Sequence, residues 1–312
     1  MMIASAPVLI KRALPAALTA LLSVCLPSTT LANPGGVPAQ PDRNPPFSTI
    51  CVLGDSLSDT GRASAVVTAL FGVPFPPPPY APGRMSNGPL WIEYLAPQLR
   101  LAYQPLDNLA WAGAGTGAIN VFGSFLPGMT QQLSELLGGP RPLDRKALYI
   151  VFGGANDFLR IFNGEPALNV INGGVANLVN TVIALRAAGA RNIVVIDLPN
   201  IGRTPRALAG GPALTLGATI LSVTFNTLLH SALDALPFDV VRVGAFELID
   251  NMVAHPRKYG LTNVTSEGRL NPATADTHLF WDDVHPTTRA HAAVADAVFH
   301  ALASNGKLGQ QK

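Results

Sequence analysis

The stretch Gly54-Asp55-Ser56-Leu57 closes a short apolar run, and a serine there is either a turn residue or a nucleophile. A serine hydroxyl at its own pKa attacks poorly and needs a neighbouring base to take its proton. Of the six histidines, only His285 follows a carboxylate by three residues, in Trp281-Asp282-Asp283-Val284-His285-Pro286. Asp282 and His285 in one loop can form locally the hydrogen bond that orients an imidazole. Acyl chemistry also needs donors aimed at a developing oxyanion. Candidates are the backbone N–H of Ser56, the Gly-rich turn within residues 108–117, and the side-chain amide of Asn156.

These residues act together only if a fold gathers them. Residues 49–54, 147–154, 192–199 and 239–246 are continuous, β-branched apolar runs, the pattern of strands covered on both faces. Between them, residues 89–99, 166–189 and 214–236 repeat apolar side chains at helical spacing. A last helix, from Pro286 to about residue 303, sets Ala290, Val294, Val298 and Leu302 along one face. This alternation predicts an α/β fold, a three-layer α/β/α sandwich about a mostly parallel sheet. Ligands bind such sheets beyond the carboxyl ends of the strands. Residues 54–56, 153–157 and 197–200 lie there, and the 281–286 loop would join them.

Outside that domain the chain reads differently. Lys11 and Arg12, an apolar run and Thr30-Leu31-Ala32 predict a secretory signal over residues 1–32, cleaved near Ala32, and so a secreted or periplasmic protein. A Pro-rich tether (33–47), a single domain (48–303) and a polar tail (304–312) are expected to follow. Removing the signal leaves Cys51 alone, unable to pair internally and packed as a small hydrophobe.

With 48% hydrophobic and 13% charged residues, the sequence has ample core material and no disordered charged tail. A net charge of +2 gives no footprint for nucleic acid. The Pro-rich stretch 72–89 reads as a loop over the sheet edge. Asp59-Thr60-Gly61 lacks the second triplet an aspartic protease requires, and a Gly-x-Ser-x-Gly elbow is absent. The glycines at 113–117 lack the Lys-Ser/Thr of a phosphate loop, and no His/Cys or His/Asp group has metal-ligand spacing. Neither a metal nor a cofactor is expected.

Four blocks occur in order: Gly54-Asp55-Ser56-Leu57, Asn108 to Gly117, Gly154-Ala155-Asn156-Asp157, and Asp282-x-x-His285. Together they resemble the GDSL (SGNH) hydrolase family from about residue 48 to 300. Residues 84–96, Arg-Met-Ser-Asn-Gly-Pro-Leu-Trp-Ile-Glu-Tyr-Leu-Ala, resemble its secreted lipase, lecithinase and haemolysin-like subgroup. The resemblance implies a flavodoxin-like strand order and an esterase or lipase. It implies Ser56 as nucleophile, His285 as base then acid, and Asp282 as its orienting carboxylate. It further implies an oxyanion hole of Ser56 N–H, Gly113 N–H and the Asn156 amide. Ala112 stands where a glycine is common and Gly115 where Thr or Lys is, so Gly113 and Gly115 both stay open.

The plainer readings are that Asp55 and Asp59 bond backbone in the turn, that Asn156 caps a segment, and that Asp197 is a turn residue. His230, His255, His278, His291 and His300 are expected on surfaces or helices. The apolar loops 71–80 and 121–129 could line an acyl groove, which favours lipid esters and leaves room for transient contact with a lipid surface. Their aromatic residues could equally stack on sugars, favouring an acetylated polysaccharide. Acyl transfer to an alcohol would use the same catalytic residues, and a non-catalytic binding protein on the same fold is the reading of a different class.

Overall fold

The computed structural model of the chain describes residues 45–139 and 142–308. The expected signal and residues 33–44 of the tether lie outside them. Four strands, β1 (Ile50–Gly54), β2 (Leu148–Phe152), β3 (Asn192–Ile196) and β4 (Val241–Val243), form a parallel sheet in the order β1-β2-β3-β4. A short parallel pair, β5 (Asn263–Glu267) and β6 (His278–Phe280), stands apart. The helices are α1 (Arg62–Phe71), α2 (Trp91–Gln98), α3 (Met129–Leu137), α4 (Leu159–Phe162), α5 (Ala167–Ala187), α6 (Pro205–Ala209), α7 (Gly211–Asp234), α8 (Ala245–Ala254) and α9 (Thr288–Ser304).

Alternate side chains of each strand point to opposite faces. Ile50 and Val52 of β1, with Leu148 and Ile150 of β2, pack on α2 and α9 through Trp91, Leu95, Val294 and Val298. Cys51 and Leu53, with Tyr149 and Val151, pack on α5 and α7 through Val182, Phe225 and Leu229. Covering on both faces explains why β1 and β2 are buried at every position. By length and composition α5 and α7 could cross a membrane, yet each lays a buried face on this sheet. Phe47, at the end of the Pro-rich stretch, is buried in the α2–α9 layer.

The free edge of β1 is used as well. Leu109 N–H donates to Val52 O at 2.8 Å and Trp111 N–H to Gly54 O at 3.2 Å, a parallel bridge just short of a strand. Counted as an edge, this segment gives the flavodoxin-like order, since the chain visits one side of β1 before crossing to β2. The Asn108–Gly117 block thus runs alongside the strand that delivers Ser56.

Two apolar runs overshoot their strands. The run 239–246 yields only Val241–Val243, because Asp197 Oδ1 accepts from Ala245 N–H (2.6 Å) and Phe246 N–H (3.1 Å) and starts α8 there. The run 192–199 ends at Ile196, where Asn226 takes over, its amide bonding both N–H and C=O of Leu198.

At the end of β1, Gly54 is enclosed. A Cβ at this position would lie 2.6 Å from Phe152 O. The buried Gln132 of α3 accepts from Gly54 N–H at 2.9 Å and donates to Gly54 O at 2.8 Å. Replacing Gln132 by Leu leaves that N–H unsatisfied in the core, and such a loss costs about 1–3 kcal/mol. Urea denaturation of Gln132→Leu should show a drop of that size; an unchanged midpoint would mean that the clamp contributes nothing.

Candidate active site

Ser56 follows β1 directly, in a turn held by its own neighbours. Asp55 Oδ1 accepts from Leu57 N–H at 3.0 Å, and Asp55 O accepts from both Ser58 and Asp59 N–H. Asp59, buried, accepts from Gly61, Arg62 and Ala63 N–H, and from Ala112 N–H at 2.8 Å. Both aspartates therefore bond backbone in the turn, and Asp59 also ties that turn to the neighbouring glycine block.

His285 enters from the other end of the chain. Thr287 caps α9 through Ala290 N–H and donates its hydroxyl to His278 O of β6 at 2.7 Å. Trp281 N–H closes the intervening loop on His285 O at 2.7 Å. The ring then lies with Nε2 2.9 Å from Ser56 Oγ and Nδ1 2.7 Å from Asp282 Oδ2. Asp282 Oδ1 accepts from Val284 and His285 N–H at 2.8 and 2.6 Å. Burial alone would raise the Asp282 carboxyl, but the hydrogen bond and charge of His285, with the backbone donors, hold it well below the usual carboxylate range. Its neighbour Asp283 turns outward to Arg206 at 2.7 Å.

The N–H groups of residues 110–116 are all engaged except one. Ala110, Trp111, Ala112, Ala114, Gly115 and Thr116 donate to Asn108 Oδ1, Gly54 O, Asp59 Oδ2, Trp111 O, Ile119 O and Asp157 Oδ2. Among the described residues, Gly113 N–H has no acceptor, and neither has Ser56 N–H. Gly113 has φ 81°, and a Cβ there would come within 2.5 Å of the Phe122 ring. Asn156 does not cap its segment; its amide donates to Ala114 O at 3.0 Å, which leaves one hydrogen to spare, and Asn156 and Ser56 line the same cavity.

A cavity of about 160 Å³ opens beside Ser56, His285 and Asn156. Its apolar wall comes from Phe162 of α4, Ala207 of α6, and Leu214, Ala218 and Leu221 of α7. The loops 71–80 and 121–129, expected as a groove, do not line it. They stack on each other instead, Phe75 on Phe122 and Phe71 on Phe125, with ring centroids 5.4 and 6.1 Å apart.

His291 lies on α9 but is buried, without a partner at either ring nitrogen. Burial, then the charge of His285, pushes its pKa down to about 3, so it is neutral. Gln132 and Tyr80 escaped the sequence reading. A lone Gln on the buried stripe of α3 was the available signal for the first; nothing in the Pro-rich stretch links Tyr80 to residue 282.

Burial pushes the Asp55 carboxyl from 3.8 up to about 6, against the hydrogen bond from Leu57 and the charge of His285. The unfolded chain ionises first as pH rises, so this group withdraws stability between about pH 4 and 6. Asp55→Asn should gain on the wild type across that window, by at most about 1.4 kcal/mol per pH unit, and run level above it. Urea midpoints of both proteins at four pH values test this; parallel curves would contradict it.

Residues 50–298 match the GDSL-like lipase/acylhydrolase family. An uncharacterized protein in the trpE-trpG intergenic region of Pseudomonas putida is 29% identical over 84% of this chain, which spans about half (50%) of that relative's length. A phosphatidylcholine-sterol acyltransferase of Aeromonas hydrophila is 27% identical over 82% of this chain and 90% of its own. A crystal structure from the lipolytic G-D-S-L family of Veillonella parvula aligns with TM-score 0.46 and 14% identity, covering 81% of this chain and 96% of that one. With the match running from the first strand into the last helix, the chain belongs to the GDSL-like lipase/acylhydrolase family.

Proposed function

We propose that this chain is an exported serine hydrolase that cleaves carboxylic esters through an acyl-serine intermediate. The observation that carries the reading is the unbroken line from Ser56 Oγ through His285 to Asp282. His285 Nε2 takes the hydroxyl proton as Ser56 attacks the ester carbonyl. The carbonyl oxygen becomes an oxyanion, bonded by Ser56 N–H, Gly113 N–H and the spare Asn156 hydrogen. The tetrahedral adduct collapses, the alcohol leaves with the proton from His285, and the acyl group stays on Ser56. Water then attacks with His285 again as base, releasing the acid. Asp282 keeps Nδ1 protonated and balances the imidazolium that forms each time. Gly115 is a poorer donor than Gly113, because its N–H is spent on Ile119 O.

The apolar cavity supports an acyl chain as the group bound beside Ser56, and hence a lipid or medium-chain ester. Transfer to an alcohol instead of water is a second reading, favoured by the relative that is named an acyltransferase. The charged, apolar and small-residue succession of residues 1–32 supports export.

Initial rates on p-nitrophenyl esters from acetyl to palmitoyl test the class. Medium chains should exceed acetyl, and Ala218→Phe, which fills the cavity, should move the maximum toward acetyl. A maximum at acetyl in the unmodified protein would reject the acyl-chain cavity. Ser56→Ala should abolish turnover, and an organophosphonate should leave one adduct, on Ser56. Removing one oxyanion donor costs about 2.7–4 kcal/mol in such sites, so Asn156→Ala should lower kcat roughly a hundredfold to a thousandfold. Near-normal kcat in that variant would remove Asn156 from the site.

A further inference from the structure

The Pro-rich stretch between α1 and α2 reaches the catalytic loop. Tyr80 donates its hydroxyl to Asp282 Oδ2 at 2.7 Å, the same oxygen that accepts from His285 Nδ1. Its ring stands edge-on to Trp281, with centroids 5.8 Å apart. Burial, then the hydrogen bond and charge of Asp282, raises the phenol well above its ordinary pKa, so the hydroxyl keeps its proton and acts as a donor. The stretch is fastened again beyond His285: Ser86 Oγ donates to Pro286 O at 2.8 Å, and Asn87 Oδ1 accepts from Thr288 N–H at 2.8 Å. Residues 80–87 therefore straddle the segment 282–288.

The Asp282 carboxylate has room for about four hydrogen bonds, and four are made: two backbone amides on Oδ1, His285 and Tyr80 on Oδ2. We propose that Tyr80 is a positioning residue for the reaction, its hydroxyl locking the Asp282 carboxylate in the rotation that aims Oδ2 at His285 Nδ1. A turn about the Cβ–Cγ bond moves both oxygens together, and the two N–H donors resist it at Oδ1 alone. The Tyr80 donor pins the other end. It also satisfies a buried acceptor site that water would otherwise have to fill, and it shares the charge that faces the imidazolium. A loop that only covered the site would need no donor at this oxygen.

The inference rests on Ser56, Asp282 and His285 being the reacting set, so Ser56→Ala is run beside it. The test is a double-mutant cycle on a p-nitrophenyl ester, with Tyr80→Phe, Asp282→Asn and both together. Phenylalanine keeps the ring on Trp281 and deletes only the donor. Losing a hydrogen bond to a charged group should lower kcat about tenfold, with KM within about twofold. In the Asp282→Asn background, where no carboxylate is left to aim, Tyr80→Phe should change kcat by less than about twofold. Ser86→Ala loosens the stretch without touching Asp282 and should leave kcat within about twofold of the unmodified protein. Unchanged kcat in Tyr80→Phe, or the same proportional loss in both backgrounds, overturns the role of Tyr80. Turnover that survives Ser56→Ala overturns the reacting set with it.

Discussion

A 2.9 Å hydrogen bond joins Ser56 to His285, 229 residues along the chain, and each layer of the fold contributes to its geometry. The sheet fixes one end, because β1 is buried on both faces and stops at a glycine that cannot carry a side chain. The other end is fixed by α9, whose apolar face packs on the same sheet and on α2. Only the short loop from β6 to Thr287 carries the ring in front of α9. A bond with so little tolerance in length needs two rigid supports rather than one.

The donors around Ser56 depend on buried acids that do no chemistry themselves. Asp59 and Asp157 are both buried, and each reaches the Asn108–Gly117 block, Asp59 with one of its four bonds at Ala112 and Asp157 with both oxygens at Thr116. They bracket Gly113 by taking the N–H groups of Ala112 and Thr116, while Trp111 O and Ile119 O take those of Ala114 and Gly115. The Gly113 N–H left free between them is the donor that the proposed oxyanion hole would use. Polar burial here serves placement more than stability.

Much of this was legible in the residues. The continuous runs 49–54 and 147–154 read as strands covered on both faces, and Asp-x-x-His before a proline marked a loop that makes its own hydrogen bond. The stripe Ala290, Val294, Val298 and Leu302 is buried as its spacing requires. Other parts were hidden for physical reasons. Periodicity cannot see where a side chain from elsewhere terminates a strand, as Asp197 does before Ala245. β5 carries a single apolar residue, Val264, and β6 is only three residues long, so neither shows a pattern. The aromatic loops near residues 75 and 122 look like a groove because composition does not tell whether two apolar loops face a substrate or each other. Tyr80 meets Asp282 across 202 residues, a contact that no local rule encodes.

The distance in sequence between the two halves of the site also sets an order of events. A chain made or translocated from its N-terminal end presents β1 and Ser56 early, while the imidazole and the helix that backs it emerge more than two hundred residues later. Until α9 docks against α2, Ser56 lacks its His285 partner, and the cavity beside it lacks the wall that Val284 and Pro286 supply. Long-range closure of this kind is the slow part of assembling an α/β sheet. If Ser56 and His285 react as proposed, the partly made chain is inert toward esters until the last layer closes.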